Sequence, residues 1–570
     1  MTEHLEAYIK AALTTLGIEA KAVTIEHPAD LKNGDYSTNI ALAVSKHLGK
    51  NPREVAEMLV AELSKDKLSE IESIEIAGPG FINFRLTKNF FTHSLAEIAM
   101  EGNDWGNSPT AAGKTVMIEY TDPNPFKPFH IGHLMTNAIG ESVARIFAAS
   151  GAFVVRANYQ GDVGLHVAKA IWVMLKKGKG DTTLPAQAQA EYIGTCYAAG
   201  SYAYESDPNN KHEIDIINKK VYEKSDPAIN EIYEWGRAMT LEAFEEIYKT
   251  LGTKFNHYFF ESEMAPLGTQ IVKDNIGKVF QESDKTIVFH AEEYDPKLHT
   301  RVFITSQGLP TYETKEIGLT IKKFEKEPEL DLSIVVTAIE QGEYMKVVQK
   351  AISLIHPELE SRMQHLTHGM MRFASGKMSS RKGNVVTGES LMKDARDVVY
   401  EKMADRELAD SERDLIASQV GVAALKYSIL KQSLGGDIIY DFEKSISFDG
   451  DSGPYLQYTT VRANAVLEKG KSEGLSPIAA LPKDWNTTNI EKHLYRFPEV
   501  VLRSYQSLQP HHIATYLTEL AALFNSFYGE HQIVNKTDPA SPYKLAISQA
   551  FSQTMKNGLS LLGISVPHKM

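Results

Sequence analysis

Two histidines flank an Ile-Gly pair in the run Pro123-Asn124-Pro125-Phe126-Lys127-Pro128-Phe129-His130-Ile131-Gly132-His133. The run follows a short apolar stretch, Thr115 to Tyr120, and precedes a helical pattern that extends to Ser150. Where a strand hands over to a helix, the unpaired N–H groups of the first turn make a natural seat for phosphate. His130 and His133, at i and i+3, project from one face and can meet a single ligand. Gly132 has no Cβ, so a flat base or ribose can approach the backbone there. The run holds no acidic residue to act as a base. None is needed if a carboxylate, already ionised, attacks the α-phosphate of ATP. Catalysis then reduces to placing hydrogen-bonding or positive groups around the charge on phosphate oxygens, and His130, His133 and Lys127 suit that task. Pro128, Phe129, Ile131 and Gly132 are expected to line the nucleotide beside them. Alone, the motif supports adenylyl transfer at a helix N-terminus more firmly than it fixes the acceptor, and a cytidylyl- or adenylyltransferase stays open.

A second candidate lies far downstream, Gly376-Lys377-Met378-Ser379-Ser380-Arg381-Lys382-Gly383. A glycine-bounded loop of this kind can close over a triphosphate and stabilise departing pyrophosphate. Lys377, Arg381 and Lys382 would supply charge, and Met378, Ser379 and Ser380 would line the nucleotide. Taken singly, a basic loop is usually only a solvated one.

The elements that must position these groups read as a β-α-β unit: TVMIEY, the helix from His130, and the strand AFVVRANY after Gly151. TIVFHA, RVFITS and LSIVVTA are further strand candidates. The polar helical region of about 167–252 reads as an insertion. Residues 1–90 read as a small α/β domain, with helices at Leu5–Leu16 and Pro52–Leu63 and a strand pair around Gly78-Pro79-Gly80. The catalytic domain is expected over 110–400, and 401–570 as an all-α helix bundle. The fold class is therefore α/β, a Rossmann-type parallel sheet with a helical insertion between two smaller domains.

Composition sets bounds. At 570 residues the chain is too long for one core. No apolar run reaches the roughly 18 residues of a membrane span, and the N-terminal helix lacks the features of a signal peptide. Cys196 is the only cysteine, which excludes an intramolecular disulfide framework and fits a cytoplasmic setting. The net charge of −13 argues against a basic coat on DNA, though local basic patches still permit a specific RNA partner. No metal-ligand spacing is found: His166, His356 and His365 have no neighbours at workable separation, and His511 and His512 are expected on different helix faces. Mg²⁺ is expected to arrive with ATP.

The pairing of His-Ile-Gly-His with a later Lys-Met-Ser-Ser-Arg resembles the double motif of class I aminoacyl-tRNA synthetases. Within that class the chain resembles the arginyl-tRNA synthetase family over essentially its whole length. The resemblance is carried by Glu119-Tyr120-Thr121-Asp122-Pro123-Asn124, Arg156-Ala157-Asn158-Tyr159 with Gly161-Asp162, and Pro310-Thr311-Tyr312. It continues in Gly453-Pro454-Tyr455-Leu456-Gln457-Tyr458, Leu562-Gly563-Ile564 and, near the start, NGDYSTNIA and GPGFIN.

The resemblance implies activation of L-arginine with ATP, itself dependent on bound tRNA, and transfer to the terminal ribose of tRNA(Arg). It implies an arginine pocket of Glu119, Asn124, Tyr312, Glu316 and Gln341, a set suited to a planar guanidinium fork and an ammonium. Glu316 stands where the family usually has aspartate. Ser380 stands where class I loops usually carry lysine, and Lys127 or Lys382 is implied as its substitute. RNA contacts are implied at Tyr455, Tyr458 and Met570 in an anticodon-binding tail, and at Phe81 and Asn83 in an N-terminal domain that meets the tRNA elbow. A monomer is expected. A synthetase for another amino acid and a non-catalytic tRNA-binding paralogue are the competing readings.

Overall fold

Val116, Met117 and Ile118 are fully buried, and a strand buried on both faces belongs inside a sheet. Thr115–Glu119 (β1) is indeed the middle strand of a five-stranded parallel sheet. On one side lie β2 (Phe153–Gln160) and β3 (His257–Phe260), on the other β4 (Leu330–Ala338) and β5 (Met363–His368). Every pairing is parallel, with Glu119 opposite Ala157 on one edge and Val335 on the other. The strand order 5-4-1-2-3 reverses between β1 and β4. In open sheets of this kind ligands bind beyond the C-terminal strand ends at the reversal. Helix α1 (Ile131–Ala149) follows β1, and helix α2 (Tyr312–Lys326) precedes β4.

The computed structural model describes residues 1–374 and 386–570. The loop candidates Lys377, Met378, Ser379, Ser380, Arg381 and Lys382 lie outside the described residues.

Four helices, Leu165–Lys177, Ala186–Ser206, Pro208–Glu223 and Pro227–Leu251, stand between β2 and β3. They bury Ile171, Ile193, Ile214 and Tyr233 in one core. The stretches TIVFHA and RVFITS do form strands, Thr286–Phe289 and Arg301–Ile304, but in a separate antiparallel sheet with Gln281–Ser283. The link between them is too short for a parallel crossover, which takes a dozen or more residues. A strand that sequence reasoning missed, Ile438–Tyr440, pairs in parallel with Met371–Phe373. Segments this short carry no alternation to read.

The chain forms two compact units. One comprises residues 107–457, 503–515 and 559–570, and the other residues 1–106, 458–502 and 516–558. The first contains the parallel sheet. Within it helices Gly388–Lys402 and Asp410–Leu430 bury Val399, Ile416 and Val420, and Met570 packs against that cluster. The second contains a four-stranded antiparallel sheet, in the order Ile25–Glu26, Tyr36–Thr38, Phe81–Leu86, Ile71–Ala77. Leu5, Ile9, Val55 and Leu59, from helices Thr2–Thr15 and Pro52–Leu63, share its core. In the same unit Glu499 accepts hydrogen bonds from Thr2 Oγ1 at 2.5 Å, Tyr36 Oη at 2.6 Å and His27 Nε2 at 2.8 Å. Burial alone would raise the pKa of Glu499, but these bonds, His27's first, bring it to about 2. Among the described residues no helix is long and apolar enough to cross a membrane.

Candidate functional site

The chain leaves β1 through an unusual backbone. Thr121, Asp122 and Phe126 all have positive φ, at 83°, 47° and 68°. A non-glycine residue held there costs on the order of 1–3 kcal/mol, so the surroundings must enforce it. They do: Asn137 Nδ2 donates to Thr121 Oγ1 at 2.9 Å, and the Tyr159 N–H donates to Asp122 Oδ1 at 2.7 Å. The contorted turn brings Asn124 against Gly161, where a Cβ would lie only 2.2 Å from Asn124 Oδ1. The Gly161-Asp162 step is thus spatially part of the Asn124 position. Asp162 is fully buried, takes Arg237 Nε at 2.9 Å and accepts from the Ser262 N–H at 2.8 Å.

The turn ends at His130, the N-cap of α1. The His130 N–H donates to His133 Nδ1 at 3.2 Å, so a neutral His133 carries its proton on Nε2. The two rings stack with centroids 3.5 Å apart. Burial and the neighbouring charges of His130 and Lys127 hold His133 well below its usual range. His130 is exposed at the surface but flanked by protein; burial and the Lys127 ammonium lower it to about 4. Near neutral pH both imidazoles are uncharged hydrogen-bond donors. A Cβ on Gly132 would meet the His130 ring at 3.0 Å. The expected nucleotide residues Pro128 and Phe129 differ in exposure. Pro128 is at the surface, and Phe129 is fully buried against Phe244 and His133. The backbone then closes on a later segment: Gly388 N–H donates to Phe129 O at 2.8 Å, and His130 bridges to Thr387. A Cβ on Gly388 would lie 2.9 Å from the Phe129 ring.

Below the strand ends lies a cluster of carboxylates. Glu119, at the end of β1, and Glu316, on α2, are both buried and feel each other's charge. Burial and then Glu119 push Glu316 up to about 8. Burial and the same neighbour raise Asp122 well above the usual carboxylate range. The counterion is Lys323, on α2, whose ammonium lies 2.5 Å from Glu119 Oε2, off the angle of a formed hydrogen bond. A second buried pair stands beside it, Lys315 Nζ with Glu261 Oε2 at 2.5 Å. The Lys315 ammonium also sits 4.6 Å from the Tyr312 ring centre. Tyr312 itself is 62% exposed. Gln341, just past β4, is exposed and is touched by Tyr344 Oη at 3.4 Å. Lys127 is half-buried; burial lowers its pKa while the charge of Glu261 acts the other way.

The turn and α2 therefore bring together Glu119, Asn124, Lys127, His130, His133, Tyr312 and Glu316. Sequence reasoning missed Asp122, Lys323, Glu261 and Lys315. Asp122 lay inside a motif already singled out, and Lys323 falls two helical turns after Glu316, a spacing that puts both on one face. The candidate RNA residues are scattered. Phe81 is exposed, whereas Asn83 is buried and accepts from Ser37 Oγ at 2.7 Å. Tyr455 and Tyr458 are half-buried, Tyr458 beneath the Arg462 guanidinium at 4.8 Å, and Met570 is packed as described. His511 and His512 do not diverge as expected: their rings lie 4.1 Å apart at the start of helix His511–Glu530, where the first turn lets adjacent side chains fold together. Among the described residues no group of three His, Cys, Asp or Glu could hold a metal ion.

Residues 95–442 match the catalytic domain of class I tRNA synthetases (R), residues 456–570 the DALR anticodon binding domain, and residues 3–86 the arginyl tRNA synthetase N-terminal domain. The arginine–tRNA ligase of Clostridium beijerinckii is 30% identical over 567 residues, 97% of each chain. That of Fusobacterium nucleatum is 30% identical over 568 residues, 97% of this chain and 96% of its own. The fold is that of the Thermus thermophilus arginyl-tRNA synthetase, with a TM-score of 0.79 at 22% identity and full coverage of both chains. The switch-point sheet and its histidine turn are those of a class I aminoacyl-tRNA synthetase. Within that class, the chain belongs to the arginyl-tRNA synthetase family.

Proposed function

We propose that this chain activates L-arginine with ATP, forming arginyl-adenylate and pyrophosphate, and transfers the arginyl group to the 3′-terminal ribose of tRNA(Arg). One observation carries the reading. Neutral donors at a helix N-terminus stand beside a pocket with more carboxylates than cations. Glu119, Asp122 and Glu316 face one ammonium, Lys323, so the pocket favours a ligand that brings positive charge.

In this reading Glu119, Asn124, Tyr312, Glu316 and Gln341 take the amino acid. His130 and His133, with Lys127, donate to the α-phosphate oxygens as charge builds there. An arginine carboxylate is ionised at neutral pH, so no base is required. Lys377 and Lys382, with Met378, Ser379, Ser380 and Arg381, complete the pyrophosphate side. Mg²⁺ enters on the phosphates of ATP. Residues 1–90 meet the tRNA elbow through Phe81 and Asn83, residues 110–400 carry out the chemistry, and 401–570 read the anticodon through Tyr455, Tyr458 and Met570. The chain works in the cytoplasm as a monomer. Its one cysteine, Cys196, is buried and free.

ATP–pyrophosphate exchange with each amino acid, with and without tRNA, tests this. Exchange should depend on arginine and on tRNA. Exchange supported by a different amino acid refutes the substrate, and none under any condition refutes the activity.

A further inference from the structure

We propose that Lys323 is a positioning residue for the amino-acid pocket: its ammonium takes Glu119 Oε2 and leaves Glu119 Oε1 and the Glu316 carboxylate for the substrate's cationic groups. The inference rests on the reading of Glu119 and Glu316 as arginine ligands. Lys323 is 1% exposed and its side chain reaches only as far as Glu119, 2.5 Å away. The charged groups facing it are Glu119 and Asp122, from the end of β1, and Glu316, two turns earlier on its own helix.

Stability alone does not account for this lysine. A buried ion pair recovers its desolvation cost poorly, and an apolar residue in its place is commonly neutral or better. Leu319, one helical turn before it, is fully buried in an apolar core, so an apolar residue at 323 would have a packed neighbour on its own face. The choice of lysine over arginine also has a chemical reading. A guanidinium engages both oxygens of a carboxylate in a fork, whereas an ammonium is a compact point charge that can hold one. An arginine at 323 would imitate the substrate and occupy the fork that the substrate needs. A neutral side chain would leave three mutually repelling carboxylates with only Lys315, already paired with Glu261, as a nearby cation, and they would hold protons to higher pH.

The test uses the full-length chain with tRNA and follows arginine-dependent ATP–pyrophosphate exchange in the wild type, K323M and K323R. Both variants should raise the KM for arginine about tenfold or more, the scale of one lost charged contact, with the KM for ATP within about twofold of wild type. In K323M the acid limb of kcat/KM for arginine should also move to higher pH. A purely structural lysine predicts the opposite split. K323R, which keeps the charge, would behave as wild type, or both substrates' constants would change together. Either result overturns the proposal. Circular dichroism and thermal melting establish folding first. If K323M does not fold, K323R decides the matter; if neither folds, the pair is structural and the proposal fails. Should the wild type itself show no arginine dependence, the pocket reading is at fault and not the role of Lys323.

Discussion

Glu316 gives arginine binding a pH dependence whose size follows from the site. Buried beside Glu119, it is pushed up to about 8, and only its ionised form can pair with a guanidinium. The ionised fraction is about 1% at pH 6, about a tenth at pH 7 and half at pH 8. The apparent Kd for arginine should therefore fall about tenfold from pH 6 to 7 and about fiftyfold from pH 6 to 8. Near pH 6 close to one proton should leave for each arginine bound. Because Asp122 and Glu119 share the field, the proton departs from the set and not from one oxygen alone. Isothermal titration in buffers of different ionisation enthalpy reads both quantities. Linkage gives folding the opposite sign. A carboxyl raised from 4.5 to about 8 contributes stability that is full below pH 4.5 and lost as pH rises through 8, on the order of 5 kcal/mol. Arginine should thus raise the melting temperature more at pH 8 than at pH 6. A Kd flat between pH 6 and 8, or binding with no proton release, would refute the reasoning. E316Q should flatten the profile and weaken binding at pH 8 by about 10- to 100-fold.

Three further outcomes are expected. H130A should lower the activation rate about 10²- to 10³-fold, the scale of a lost oxyanion donor, with tRNA affinity unchanged in a filter-binding assay; because His130 titrates near 4, its protonation should leave no step in the wild-type rate between pH 6 and 8. G161A puts a methyl 2.2 Å from Asn124 Oδ1 and should raise the KM for arginine at least tenfold, while an alanine at the open Gly436 turn does not. Glu499 titrates near 2 against 4.5 when unfolded, so its contribution of about 3 kcal/mol is present above pH 4.5 and lost as pH falls towards 2; E499A should lose that amount in urea melts at pH 7 and less at pH 3.

Much of the positioning frame was legible. The strand Thr115–Glu119 declares itself through a run of apolar residues buried on both faces, and α1 through an apolar stripe from Leu134 to Phe147. What escaped was whatever depends on partners distant in sequence. Thr286–Phe289 and Arg301–Ile304 have the composition of parallel-sheet strands, yet they pair antiparallel with each other, Arg301 opposite Phe289. Lys323 looks like a solvated helix lysine until the approach of β1 supplies Glu119. Asp122 was visible as a residue but not as a strained one, because its left-handed backbone is imposed by Tyr159 and by its neighbour Thr121's bond to Asn137. The close approach of the His130 ring to Gly132 was likewise not legible, because it depends on how the N-cap side chain folds over the first turn.

The backbone bridge between His130 and Thr387 has an electrostatic consequence. Thr387 is itself the cap of helix Gly388–Lys402, accepting from the Ser390 N–H at 3.0 Å, so the bridge sets the first turns of two helices side by side. Each helix start carries roughly half a positive charge. Together they give the turn about one unit of positive charge that no pH change removes. Uncharged histidines are then no deficit at this position: they aim hydrogen bonds at a spot where the fixed field already favours an anion.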